Sequence, residues 1–118
     1  MEEFDFERLK VYHKALDFID KIFSVCNNLS ADYKYSVGSN LIRAGMSIAN
    51  NIAEGSDKKS SKERVRYYSI SSDSTRECIS VFNILRRQNI IDENLYHQLR
   101  IDGREITNMI HGLIKSCK

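Results

Sequence analysis

Proline and tryptophan are absent from the 118 residues, and glycine occurs only five times. A many-stranded sheet needs turn residues at each reversal, and this chain does not carry them, so long helices are the natural outcome. No stretch approaches the roughly 20 consecutive apolar residues of a membrane span. The acidic start, Met1 to Asp5, is the reverse of a signal peptide's basic region. A cytoplasmic location is the expectation. Cysteine is sparse as well: Cys26, Cys78 and Cys117 are odd in number and widely spaced, with no CxxC pair for redox chemistry or zinc. Cys26 and Cys78 are expected to pack as reduced thiols, and Cys117, one residue from the end, to be exposed.

What is present describes a single domain spanning residues 1–118. At 42% hydrophobic and 29% charged, the composition is that of a folded chain rather than a disordered one. A domain of this length buries roughly 65% of the surface its unfolded form exposes, enough for one real core.

Hydrophobic spacing predicts four helices, at about 5–28, 36–54, 61–88 and 92–116. In the first, Leu9, Tyr12, Leu16, Ile19, Phe23 and Cys26 recur at three and four and are assigned to the inward face. In the second, Val37, Leu41, Ala44, Ile48 and Ile52 face inward, and Gly55 sits where helices commonly stop in a left-handed residue. Ser60, with Glu63 three residues on, fits a capping box that opens the third helix. The third seam, Val65, Tyr68, Ser72, Thr75, Ile79, Phe82 and Leu85, has a small, polar middle that invites a close approach by Ala44, Gly45, Ser47 and Ala49 of the second. Asp92 is a plausible cap for the fourth helix, whose apolar stripe runs from Leu95 to Ile114; Gly103 weakens its middle by about 1 kcal/mol relative to alanine. Short connections favour antiparallel neighbours, so the fold is read as all-α, an antiparallel up-down-up-down four-helix bundle.

Such bundles can hold two metals when Glu-x-x-His pairs project inward, and no Glu-x-x-His occurs here. Glu93 and His97, four apart, read as a surface pair. His13 and His111 have no nucleophile or carboxylate at a recognisable catalytic spacing. The five glycines form neither a GxGxxG nor a GxxxxGK loop. No enzyme activity, cofactor or metal is therefore expected.

Charge is unevenly placed. Residues 57–90 hold eight basic groups against four acidic ones, a net of +4, while the remainder of the chain carries −2. Lys58, Lys59, Lys62, Arg64 and Arg66, beside Tyr67 and Tyr68, could grip phosphates while a ring stacks on a base. The competing reading is a solvated, lysine-rich helix start. A polar line of Arg43, Ser47, Asn50 or Asn51, and Glu54 runs beside the second helix's apolar seam. If the third helix covers that line, Arg43 needs an anionic partner, with Asp73 and Glu77 as candidates and Glu77 preferred.

The run from Leu41 to Gly55, with its Arg43-Ala44 pair, Ser47-Ile48 and Asn51-Ile52-Ala53-Glu54-Gly55, resembles the signature of the 23S ribosomal RNA intervening-sequence proteins. Ser60 to Glu63 is similar to the basic, serine-containing linker and glutamate that follow it there. Leu9 to Ala15 resembles the family's opening, with Tyr12 in place of tryptophan. Asp73, Ser74 and Glu77 correspond to its Gly-Ser-x-x-Glu, the glycine being lost. The resemblance implies a four-helix bundle in which Arg43, Ser47, Asn51, Glu54, Gly55 and Glu77 form the structural motif. Similar bundles serve as accessory proteins of diversity-generating retroelements, which implies a homo-oligomer, a basic pentameric ring among its forms, binding nucleic acid and a protein partner such as a reverse transcriptase.

Two functional readings stand side by side. One is a non-enzymatic adaptor that grips structured RNA or another nucleic acid through Lys58, Lys59, Lys62, Arg64 and Arg66 together with Arg86 and Arg87, with weak sequence specificity. The other is a protein-interaction module whose exposed helix faces bind another protein's helices.

Overall fold

The computed structural model describes residues 1–117; Lys118, the last residue of the span assigned to the domain, lies outside them. Four long helices make up most of the chain: α1 (Lys10–Asn27), α2 (Ser39–Asp57), α3 (Ser61–Arg87) and α4 (Glu93–Ser116). A 3-10 turn at Asp5–Arg8 precedes α1, and a single turn at Ala31–Tyr33 followed by a π-helical turn at Lys34–Gly38 leads into α2. The first two helices are thus shorter at their starts than spacing alone suggests. Each helix packs on its neighbours in sequence, and α4 returns to α1 to close the ring. No helix among the described residues is long and apolar enough to cross a membrane.

The helix ends follow local chemistry. Ser60 accepts from the Glu63 amide at 3.1 Å and Asp92 from the Leu95 amide at 2.8 Å, each satisfying an orphan donor. Only that half of the expected capping box forms, because the Glu63 carboxylate turns towards Arg66 at 3.8 Å. Two residues past the end of α3 stands Asn89, the one non-glycine with positive φ (60°) among the described residues. The Ile90 amide donates to the Leu85 carbonyl at 2.9 Å and the Asn89 amide to Arg86 at 3.0 Å, a Schellman closure.

Gly55 does not end α2. The helix runs through it to Asp57, and glycine is needed for space instead: a Cβ there would lie 2.7 Å from Cε1 of Tyr68 on α3. Gly103 serves the α3–α4 crossing in the same way, since a Cβ would lie 2.6 Å from Cδ1 of Ile79. Its low helix propensity is therefore offset by a close helix approach. Gly45, expected at the α2–α3 contact, faces Ile22 and Ile19 of α1.

The core face of α1 is rotated from the expected one. Val11, Ala15, Phe18, Ile22, Val25 and Cys26 are buried, whereas Leu9, Tyr12, Leu16 and Ile19 are half-buried and Phe23 is 42% exposed. α1 is apolar over more than one face, and contact with α2 and α4 selects the row that includes Ala15. Phe18 meets Phe82 of α3 edge to face, with ring centroids 6.0 Å apart. The inward residues expected of the other three helices are buried or half-buried, with Val65, Ile79, Leu95, Met109, Leu113 and Ile114 at the half-buried margin and Val37, also half-buried, in the π-helical turn before α2. Cys117 is buried rather than exposed, its thiol donating to the Leu113 carbonyl at 3.2 Å.

The small polar middle of α3 packs against α2 through paired hydroxyls. Ser71 donates to the Ile48 carbonyl at 2.8 Å, Ser74 and Ser47 hydroxyls meet at 2.7 Å, and Thr75 donates back to Ser71 at 3.0 Å. No buried side-chain nitrogen or oxygen among the described residues lacks a partner. Hydroxyls this small let two backbones approach while avoiding the cost of an unpaired buried group.

Candidate nucleic-acid interface

The signature residues of α2 are spent on this same seam. Asn51 donates from Nδ2 to the Ser47 carbonyl at 2.8 Å and to its hydroxyl at 3.0 Å, holding Ser47 towards Ser74. Arg43 donates to Glu77 at 2.6 Å. Its side chain is 61% exposed and that of Glu77 44%, so the pair lies at the rim of the crossing and is not the buried ion pair that coverage by α3 implies. Glu54 reaches Lys58 at 3.5 Å, and Gly55 lies under the Tyr68 ring. The loss of glycine at Asp73 leaves the seam tight, because Asp73 is exposed and lines the opposite, α4-facing side of α3.

At the start of α3 the basic residues divide into those used internally and those that are free. Lys58 and Arg66 both lie over the Tyr67 ring, at 5.1 and 4.7 Å from its centroid. Arg64 donates to the Lys58 and Lys59 carbonyls at 3.1 and 3.2 Å, tying down the α2–α3 linker. Tyr68 is buried. The base-stacking role expected of the tyrosines is therefore not available: one ring is covered by two cations and the other is in the core. Lys59 and Lys62 are exposed, with no carboxylate within 4 Å among the described residues.

Arg86 and Arg87 do not join that cluster. The rise of α3 between Lys62 and Arg86 is about 36 Å, most of the 44 Å long axis of the molecule. Arg86 is bonded to Glu93 across the α3–α4 turn and lies 5.4 Å from the Tyr96 ring centroid. Glu93 thus spends its carboxylate on Arg86 rather than on His97. Arg87 is exposed, with no carboxylate within 4 Å among the described residues. The two groups of basic residues therefore stand at opposite ends of α3.

A third basic feature was not visible in the sequence. Between α3 and α4 runs a groove of about 710 Å³ whose lining includes Arg76, Arg100, Arg104, Asn83, Asn108 and His111. Arg76 comes from α3, and Arg100 and Arg104 sit four apart on α4, so only the antiparallel crossing brings them together. At one end of the groove Ser72 and His111 lie 3.4 Å apart. Ser72 is 6% exposed, and among the described residues no carboxylate bonds the other ring nitrogen of His111, so the orienting third member of a triad is missing. No three histidine, cysteine or carboxylate side chains converge as metal ligands among the described residues.

α1 is tied to the middle of α4 by Lys14 to Glu105 at 2.8 Å and Lys21 to Asp102 at 2.5 Å. The Glu105 carboxylate, by hydrogen bond and charge, raises the Lys14 ammonium above its usual value. These cations are engaged within the bundle and are not part of a free surface.

The observations define an antiparallel four-helix bundle whose sequence signature closes the α2–α3 seam and which carries, among the described residues, unpaired basic side chains at the start of α3 and along the α3–α4 groove. The chain belongs to the family of 23S rRNA-intervening sequence proteins, whose family model matches residues 7–112. Among solved structures it is similar to a protein of unknown function from the S23 ribosomal protein family of Bacteroides thetaiotaomicron. That likeness has a TM-score of 0.81 at 24% identity, covering 89% of this chain and 95% of the other, and it concerns the fold. No curated protein shows a significant match.

Proposed function

We propose that this protein is a non-enzymatic, homo-oligomeric adaptor of the cytoplasm that binds structured RNA through its phosphates. The observation that carries the reading is the exposed start of α3, where Lys59 and Lys62 have no carboxylate within 4 Å among the described residues and Lys58 and Arg66 stand beside them. Uncommitted ammonium groups at a fixed helix start lose little on meeting a phosphate and release its counterions. Membership in a family described by intervening sequences of 23S rRNA supports RNA as the nucleic acid. Exposed Met46, Ile84 and Ile101, at 48, 55 and 66%, support assembly with other copies or with a protein such as a reverse transcriptase. A ring, a pentamer for example, would repeat the basic start of α3 around one face.

The test is titration of the protein into a labelled structured RNA at low and moderate salt, with Lys59→Glu/Lys62→Glu beside the wild type. These two lysines are chosen because neither side chain holds Tyr67 or the linker, Lys59 engaging Arg64 only through its backbone carbonyl. Binding by the wild type that weakens with salt and falls at least tenfold in the variant is expected. No RNA binding at low salt would discard the adaptor reading, and a protein partner retained through high salt would favour the interaction module instead.

A further inference from the structure

We propose that the α3–α4 groove is a second phosphate-binding site, taking the sugar-phosphate backbone of a single nucleic-acid strand; the choice of nucleic acid rests on the adaptor reading. Three guanidinium groups line this groove, from Arg76, Arg100 and Arg104, against one carboxylate, Asp73. None of the three has a carboxylate within 4 Å among the described residues, whereas Arg8, Arg43, Arg66 and Arg86 all do. Grouped cations without counter-charge repel one another, and an anion laid between them relieves that repulsion.

The groove is also partly organised in advance. Arg100 donates from Nη1 to the Asn83 amide oxygen at 3.1 Å and lies 5.7 Å from the Tyr96 ring centroid. The Tyr96 hydroxyl donates to the same amide oxygen at 2.7 Å. Asn83 Oδ1 is thereby occupied, and its Nδ2 is left as a donor with no partner among the described residues. Guanidinium forks match phosphate oxygens in pairs, a geometry that lysine does not offer.

Shape and lining favour a strand over a single small anion or a peptide. From Ser72 to Asn83 the groove follows twelve residues of α3, about 16 Å of helix. The contact of Ile79 on Gly103 and of Asn83 on Arg100 sets the register of the two helices. It places Arg76 within about one turn of Arg104, with Arg100 one turn beyond. The cations therefore form a row rather than one pocket. Ile79 is the only large apolar residue in the lining, so an acidic helix or peptide would gain little apolar contact there. Asn108 and Ser80 add further donors along the row.

The test compares three full-length proteins in binding a labelled single-stranded RNA over a salt series: wild type, Lys59→Glu/Lys62→Glu, and Arg76→Gln/Arg100→Gln/Arg104→Gln. All three arginines are exposed, and circular dichroism melting establishes that each variant is folded. The glutamine variant is expected to bind at least tenfold more weakly, with its salt slope reduced by about 2, from three lost phosphate contacts on a single strand. A triple lysine variant at the same positions keeps the slope and loses affinity. RNA binding that falls in the Lys59/Lys62 variant but is unchanged in the glutamine variant overturns the groove site and leaves the adaptor reading standing. No binding of this single-stranded RNA by the wild type removes the groove site, while the adaptor reading stands or falls on the structured-RNA titration. Polyglutamate and inorganic phosphate serve as competitors: displacement of RNA from the Lys59/Lys62 variant by millimolar phosphate as readily as by unlabelled RNA, or tighter binding of polyglutamate, overturns the assignment to a strand.

Discussion

Gly55 shows how one residue can look like a chain stop and act as a packing device. Its φ is not positive, so nothing in the backbone demands glycine; the Tyr68 ring does. With a methyl group 2.7 and 2.8 Å from two ring carbons and 3.2 Å from Cβ of Tyr67, the side chains cannot simply swing aside, since Tyr68 is buried. Overpacking of this kind costs about 1–3 kcal/mol, and in a domain of this size each kcal/mol lowers the melting temperature by roughly 4 °C or more. Gly55→Ala is expected to melt clearly below wild type. Gly112 is the internal control, being helical and exposed with nothing within 4 Å of an added Cβ. Gly112→Ala should gain about 0.5–1 kcal/mol from helix propensity and reduced chain entropy. Thermal melts in which the two alanines behave alike would remove the steric account of Gly55.

At the scale of the helix, charged contacts and capping contacts carry different weights. The Arg43–Glu77 pair joins α2 to α3 at 2.6 Å, but both side chains are largely solvated, and exposed pairs contribute about 0–1 kcal/mol. Asp92 satisfies an orphan amide at the start of α4, and loss of such a cap costs about 1 kcal/mol. Urea unfolding should therefore rank Asp92→Ala as more damaging than Glu77→Ala, whose effect stays within about 1 kcal/mol. A larger loss for Glu77→Ala would mean that the pair acts as part of the seam with Ser47 and Ser74. The same contrast explains what could be read from sequence. Caps and the small-residue seam are local patterns, and Ser60, Asp92 and the Ser71 to Thr75 stretch stand where the chain suggests. The buried face of α1 is not legible in the sequence because its apolar residues fill two adjacent rows and only the neighbouring helices choose between them. The α3–α4 groove lay out of reach because Arg76 is 24 and 28 residues from Arg100 and Arg104, and only the antiparallel crossing sets them side by side. Lys62 and Arg86 show the converse: both are on one helix and both are basic, but the rise of that helix keeps them apart.

For the whole molecule, ionisation inside the core sets an alkaline limit on stability. Burial pushes the Cys78 thiol up to about 12 from 9.0, with the Glu77 charge adding to the shift. Burial also raises Cys26, and it raises Tyr68, where Cys117 adds to the effect and Arg64 opposes it. All three groups stay neutral in the folded bundle at a pH where the unfolded chain releases their protons. The folded state then binds more protons than the unfolded state, so stability falls with rising pH. It is fully present below the unfolded thiol value near 9 and is lost progressively as pH climbs towards 12. Cys78 alone should contribute a decline of about 1.4 kcal/mol per pH unit across that window. Urea midpoints measured from about pH 8 to about pH 11 should drop for wild type beyond the unfolded thiol value. Cys78→Ala leaves a cavity between the helices and starts from a lower midpoint at every pH, but with the titrating group gone its decline should be shallower by that amount. Parallel declines in the two proteins would show that Cys78 does not set the limit and that the alkaline loss arises elsewhere in the bundle.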